Sequence, residues 1–158
     1  MRDQNRRLVL GLGNPDRGDD AVGRAVARLL RGALPADVEI AESDGEASSL
    51  LAKMEGAAEA FLVDACVSGA PSGTVRRFDA ATLPLPPATF GVSTHGFGLA
   101  EAIELGRTLG RLPRRCIIYA IEAKSFAAGA SLSPPVAMAV AETVLRLRAE
   151  LIQGAVSV

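Results

Sequence analysis

Apolar and polar positions follow two periods along this chain, one typical of buried strands and one typical of amphipathic helices. The two kinds of segment alternate, which predicts an α/β sandwich with a mostly parallel sheet. The second predicted strand alternates polar and apolar residues and is expected near an edge, whereas the third is almost wholly apolar and is expected at the centre. The predicted strands cover residues 7–12, 37–43, 60–66, 74–78 and 115–121, the predicted helices cover 19–31, 47–56, 96–109 and 133–151, and a long proline-containing surface loop covers 79–93.

Length and charge limit the class of protein. The 158 residues fit one domain, 1–158, and the net charge of -1 provides no basic footprint for nucleic acid. No apolar run approaches the length of a bilayer-spanning helix, and the polar start of the chain does not resemble a signal peptide. We therefore expect a cytoplasmic monomer with no nucleic-acid or membrane partner. Arginine clusters at Arg6-Arg7, Arg76-Arg77 and 111–115 are expected on solvated faces, and Cys66 and Cys116 are expected to be reduced core thiols.

The first predicted strand ends in a glycine-containing loop that is followed by two adjacent acids, Asp19 and Asp20. In open α/β sheets, ligands bind at the edge where the parallel strands end and the helices begin. One acid of such a pair is expected to cap the helix by accepting backbone N–H bonds, while the other faces outward over the sheet edge. The pattern alone does not say which acid has which role.

Two further residues have side chains suited to chemistry. Asp64 lies near the end of the apolar run 60–66, where a carboxylate must either accept backbone hydrogen bonds in a turn or project into a cleft. His95 is the only histidine and precedes a predicted helix, so it is either a capping or surface residue or the one available imidazole. With Asp20, these residues form an O/O/N donor set that suits Zn, Ni or Fe and leaves positions open for substrate.

Two other interpretations of the first loop were compared with the sequence. A dinucleotide-binding loop requires G-x-G-x-x-G, but Asp16 occupies the third glycine position, and the acids that follow would repel a pyrophosphate. The segment 11–15, Gly-Leu-Gly-Asn-Pro, is shared with the peptidyl-tRNA hydrolases. That family places its catalytic histidine shortly afterwards, whereas this chain has no histidine before His95. A peptidyl-tRNA hydrolase-like esterase is therefore a weaker alternative.

Taken in order, several segments resemble the hydrogenase maturation proteases, which trim the large subunit of nickel-iron hydrogenases. The matching segments extend over most of the chain and are Gly11-Leu12-Gly13-Asn14, Asp19-Asp20-Ala21-Val22-Gly23, Val63-Asp64-Ala65, Ser93-Thr94-His95, Ile121-Glu122-Ala123 and Leu132-Ser133-Pro134. The resemblance implies a three-layer α/β/α sandwich with a mixed five-stranded sheet. It also implies that the metal-contacting positions are Asp20, Asp64 and His95.

The same resemblance implies a function. The protein would be an endopeptidase that removes the C-terminal extension of a hydrogenase large-subunit precursor, with nickel supplied by that precursor. Asp20, Asp64 and His95 would contact the nickel and align the peptide bond for cleavage. Two other hypotheses use some of the same residues: a non-catalytic nickel-dependent checkpoint or chaperone, and an aspartic-type peptidase with Asp20 and Asp64 as a proton-sharing pair. Segment 44–47, Asp-Gly-Glu-Ala, departs from the family's usual D-G-G-T and concerns the cleft wall.

Overall fold

Five strands form one mixed sheet in the computed structural model, which describes residues 3–90 and 98–156. The elements are β1 (Asp3–Leu12), a 3₁₀ helix (Gly18–Ala21), α1 (Val22–Leu30), β2 (Val38–Ser43), α2 (Ala47–Met54), β3 (Ala57–Cys66), β4 (Val75–Asp79), α3 (Pro87–Phe90), α4 (Leu99–Thr108), β5 (Arg115–Glu122) and α5 (Pro134–Val156). The strand order is β2-β1-β3-β5-β4. The pairs β1–β2, β1–β3 and β3–β5 are parallel, and β4 runs antiparallel to β5 at one edge.

Helices cover both faces of this sheet because the central strands are apolar on both sides. One core lies between the sheet and helices α2 and α4, and the other lies between the sheet and helices α1 and α5. Representative members of the first core are Leu10, Leu62 and Ile118 with Leu50 and Ile103, and of the second Val9, Phe61 and Ile117 with Val26 and Leu147. The predicted three-layer α/β/α sandwich with a mostly parallel, five-stranded sheet is thus confirmed.

The predicted elements are all found among the described residues, with two differences in secondary structure and one in burial. The first predicted helix opens as the separate 3₁₀ turn before α1 begins at Val22. The predicted surface loop 79–93 contains α3, because the Phe90 ring packs edge-on against Phe78 at 5.2 Å and Thr89 is buried. Arg7 is also buried instead of solvated, since its guanidinium binds Asp37 and the carbonyl oxygen of Leu151. No helix in the described ranges is long and apolar enough to cross a bilayer.

Helix α1 approaches the sheet so closely that a glycine is needed at the contact. A Cβ atom on Gly23 would lie 2.7 Å from the backbone nitrogen of Leu12 and closer still to the carbonyl oxygens of Leu12 and Val63. Those two residues lie near the carboxyl ends of the adjacent strands β1 and β3. Gly23 therefore seats the start of α1 on the sheet edge at which β1 and β3 end.

We predict that Gly23→Ala lowers the free energy of unfolding by about 1–3 kcal/mol, because the new methyl group must displace the backbone of two strands. Gly106→Ala in α4 is the matched control. There a Cβ would meet only the side-chain ends of Leu112 and Leu51, which can move, and alanine favours a helix. Urea denaturation of both variants measures the difference. Equal effects at the two positions would contradict the argument.

Candidate active site

The acidic residues that are buried in the described part of the chain all lie at one edge of the sheet. They are Asp19 (0 % exposed), Asp20 (2 %), Asp64 (7 %) and Glu122 (3 %). Because β1, β3 and β5 are parallel, their carboxyl ends meet there. A buried carboxylate is costly unless it is hydrogen-bonded or paired, so the partners of each acid indicate its role.

Asp19 is held by the segment that joins β5 to α5. Its carboxylate accepts from the backbone N–H groups of Lys124 (2.8 Å), Ser125 (3.0 Å) and Ser133 (2.7 Å), and from the Ser133 hydroxyl (2.8 Å). Burial alone raises the pKa of Asp19, but these hydrogen bonds outweigh burial and hold the pKa below its ordinary value. Asp19 is therefore an ionised anchor that ties two distant parts of the chain together.

Asp20 is surrounded instead by the loop that follows β1. Its Oδ2 accepts from the backbone N–H of Asn14 at 2.9 Å. Gly13 has a φ of +125°, and a Cβ atom there would collide with the Asp20 carbonyl oxygen and lie 3.5 Å from its Cγ. The glycine thus lets the β1 backbone turn tightly around Asp20. Of the two adjacent acids, Asp20 is therefore the one that contacts the loop at the end of β1.

The expectation that one of these two acids caps the helix is wrong. The N-cap residue is Arg17 for the 3₁₀ helix and Ala21 for α1, and neither has a side-chain capping hydrogen bond. The physical reason is that other N–H and O–H donors compete with the helix N–H groups for the carboxylate oxygens. The Asp19 oxygens already have four donors from the β5–α5 segment, and Asp20 Oδ2 accepts from the loop after β1.

Asp64 lies on β3 at the same edge as Asp20. In the sheet register it is level with Ala120 of β5, and its Oδ1 accepts from the backbone N–H of Ala65 at 2.8 Å. The 3₁₀ helix that carries Asp20 contacts β3, and Gly23 packs on Val63, the residue before Asp64. The structure therefore places Asp20, on the 3₁₀ helix, and Asp64, on β3, at the same edge of the sheet, where β1 and β3 end.

His95, the third predicted site residue, lies outside the described residues. Within residues 3–90 and 98–156 there is no group of three His, Cys, Asp or Glu side chains that could hold a metal ion. Two of the three predicted donors, Asp20 and Asp64, are therefore located at one edge, and the complete set stays a prediction. Both described donors are carboxylates, which supply the oxygen ligands of the predicted O/O/N set.

Glu122 is a buried acid whose structural role sequence reasoning missed. It accepts from the Ser68 backbone N–H (2.7 Å) and hydroxyl (2.9 Å), from the Gly69 backbone N–H (2.8 Å) and from the Cys66 thiol (3.2 Å). Burial raises the pKa of Glu122, and these hydrogen bonds bring it below its ordinary value. Burial and the Glu122 charge raise the pKa of Cys66 well above its usual range, so the thiol stays protonated and donates. The available signal was a charged residue at the end of an apolar strand.

The free, buried state of both thiols agrees with the expectation of reduced core cysteines. The departure at segment 44–47 also has a structural consequence. Glu46 accepts from the backbone N–H groups of Ser48 and Ser49 and so caps α2. The neighbouring Asp44 is exposed, and its Oδ1 accepts from the backbone N–H of Glu46 at 3.0 Å.

Comparison with known proteins shows the family to which this chain and its fold belong. The family model HycI, hydrogenase maturation protease, matches residues 24–150. The chain belongs to the hydrogenase maturation protease family. The hydrogenase expression/formation protein HupD of Rhodobacter capsulatus is 32 % identical over 162 residues, which cover 95 % of this chain and 76 % of that protein.

Solved structures of the family have the same architecture. The hydrogenase maturating endopeptidase HybD from E. coli superimposes with a TM-score of 0.79 and 26 % identity, over 94 % of this chain and 93 % of that one. The [NiFe] hydrogenase maturation protease HybD from Thermococcus kodakarensis shares the fold with a TM-score of 0.71 and 24 % identity, over 92 % and 99 % of the two chains. The resemblance seen in the sequence is thus confirmed, the protein is a peptidase of this family, and the esterase alternative is not supported.

We predict that Asp19→Asn lowers the free energy of unfolding by about 2–3 kcal/mol at pH 7, because an amide cannot accept from all four buried donors. The depressed pKa of Asp19 gives this difference a pH dependence. It is fully present above the ordinary value of 3.8 and is lost as the pH falls through the lower pKa of the folded protein.

Urea denaturation at pH 7 and at progressively lower pH, as far as the wild-type protein remains folded, tests this prediction. Asp16→Asn, an exposed change in the same loop, is the control and should have little effect at any pH. A stability gap between the wild-type protein and the Asp19 variant that stays constant with pH would count against the ionised anchor.

Proposed function

We propose that this protein is the endopeptidase that removes the C-terminal extension of a nickel-loaded hydrogenase large-subunit precursor. The observation that carries the proposal is that Asp20 and Asp64 are two buried carboxylates at the sheet edge where the parallel strands β1 and β3 end. Membership of the maturation protease family supports the class of substrate. Asp19 and Glu122 are also buried, but they tie sequence-distant loops to this edge and are better suited to shaping the site.

In this proposal nickel arrives as part of the substrate. Asp20 and Asp64 offer carboxylate oxygens and His95 offers an imidazole nitrogen, a donor set compatible with a divalent first-row metal. Contact with the nickel would place the precursor's cleavable peptide bond over the sheet edge. Water then adds to the carbonyl carbon, the C–N bond breaks, and a new carboxylate and a free amine form once a proton has reached the leaving nitrogen.

A metal borrowed from the substrate gives the reaction a logical order. An apo precursor lacks the group that the two acids would bind, so it would be held poorly and cleaved slowly. The protein would thereby read nickel loading and remove the extension only afterwards. We further propose that it does so as a cytoplasmic monomer whose partner is the precursor alone.

We predict that Asp20→Asn and Asp64→Asn each give a folded protein whose processing rate falls by about 100-fold or more. Loss of one preorganised electrostatic contact can already cost that much. His95→Ala should have the same effect. Asp44→Asn is the matched control, because Asp44 follows β2 at the same edge but is exposed. The rates are measured on denaturing gels, where the shortened product separates from the nickel-loaded precursor. Circular dichroism checks that each variant is folded. Normal processing by any one of the first three variants would remove that residue from the proposal.

We predict that mass spectrometry finds the nickel-loaded precursor shortened at its C-terminus by this protein and the metal-free precursor intact. The reason is that substrate nickel would be needed to align the peptide bond. Shortening of the metal-free precursor would favour the aspartic-type pair, with Asp20 and Asp64 sharing a proton. A nickel-loaded precursor that binds but keeps its full mass would indicate a non-catalytic checkpoint.

A further inference from the structure

The positively charged residue Arg76 lies on the same face of the sheet as Asp64, two strands away. In the sheet register Asp64 of β3 is level with Ala120 of β5, and Ala120 is level with Arg76 of β4. Residues that are level on neighbouring strands point to the same face. The alanine between them is small, and two strand spacings separate the Asp64 and Arg76 backbones by about 10 Å.

The preceding row of the sheet shows which face this is. Leu62, Ile118 and Phe78 are level with one another and all pack in the core covered by α2 and α4. One step of two residues towards the carboxyl edge replaces this apolar row by Asp64, Ala120 and Arg76. The row therefore marks the point where the apolar core gives way to charged side chains.

Arg76 is half-buried and is held by a neutral group. Its Nη1 donates to the hydroxyl of Thr89 at 3.2 Å, and Thr89 is itself 3 % exposed in α3. Across the described part of the chain Arg76 forms no ion pair, whereas the adjacent Arg77 binds Glu150 at 2.6 Å on the opposite face. Arg76 thus presents an oriented guanidinium without a carboxylate partner among these residues.

A guanidinium of this kind is suited to binding oxygen atoms of a substrate. Its planar donors match carbonyl and carboxylate groups, and partial burial strengthens such hydrogen bonds. We propose that Arg76 binds an oxygen of the precursor polypeptide close to the cleaved bond, with Thr89 orienting its side chain. This inference rests on the proposed function. It adds a cationic subsite opposite Asp64 that selects and positions the chain to be cut.

The oxygen can come from two sources, which kinetics distinguish. If Arg76 binds the carbonyl oxygen that becomes negative as water adds, its loss lowers kcat. If it binds a carbonyl or carboxylate group that does not react, its loss raises KM and leaves kcat nearly unchanged. In both cases kcat/KM falls, and that fall is the property that defines the subsite.

The test compares R76Q, R76K, T89V and T89S with R114Q, which removes an exposed arginine elsewhere on the protein. We expect kcat/KM for the nickel-loaded precursor to fall by about 100-fold in R76Q if the reacting oxygen is bound, and by about tenfold or more otherwise. R76K should recover only part of the activity, because a lysine supplies a point charge without the planar fork. T89V should fall between R76Q and the wild type, T89S should restore the wild-type value, and R114Q should match the wild type.

Unfolding midpoints of all variants show whether any loss of activity follows from a loss of folding, and R76K keeps the test valid if R76Q is unstable. An R76Q variant with kcat/KM within twofold of R114Q, while the wild type is active, would overturn the subsite alone. An inactive wild-type protein would instead overturn the proposed function and the subsite with it. The two failures are therefore distinguishable.

Discussion

Buried carboxylates need hydrogen-bond donors, and this requirement shapes the carboxyl edge of the sheet. Asp19, Asp20, Asp64 and Glu122 are all buried there, at the ends of three parallel strands. In an apolar setting each would be destabilising by several kcal/mol if left ionised and unpaired. The chain meets this demand with backbone N–H groups, many of which come from segments far away in the sequence. The irregular loops around the site are therefore held in place by the acids themselves.

The acids divide into two pairs according to their donors. Asp19 binds the segment between β5 and α5, and Glu122 binds the turn after β3, so these two acids fix the positions of loops. Asp20 lies on the 3₁₀ helix and accepts from Asn14, and Asp64 lies on β3 and accepts from Ala65, so each has at least one donor close to it in sequence. Adjacent residues such as Asp19 and Asp20 thus have unrelated tasks. Because the two side chains are chemically identical, residue type alone does not reveal this difference.

Much of the fold could be predicted from the sequence, because hydrophobic periodicity is a local signal that burial imposes on each strand and helix. Asp64 was predictable for the same reason, as one charged residue in an apolar run. The capping assignment for Asp19 or Asp20 was wrong because the donors that decide it, such as Ser133, lie more than a hundred residues away. Short helix α3 was missed because a contact between Phe90 and Phe78 stabilises it, and its own sequence pattern does not. His95 remains a prediction from sequence.

The geometry of the antiparallel strand β4 explains why the position of Arg76 could not be predicted from composition. A pair of adjacent arginines is ordinarily a solvated surface feature, but strand geometry sends consecutive side chains to opposite faces. Arg77 therefore meets Glu150 of α5, while Arg76 lies on the face of Asp64. Because β4 runs against the other strands, its beginning lies where they end, and its second residue reaches the edge that the acids occupy. If β4 were parallel to the other strands, its first residues would lie beside the amino ends of those strands, away from the acids. The antiparallel direction of β4 is therefore what places the Arg76 guanidinium on the same face as the Asp64 carboxylate.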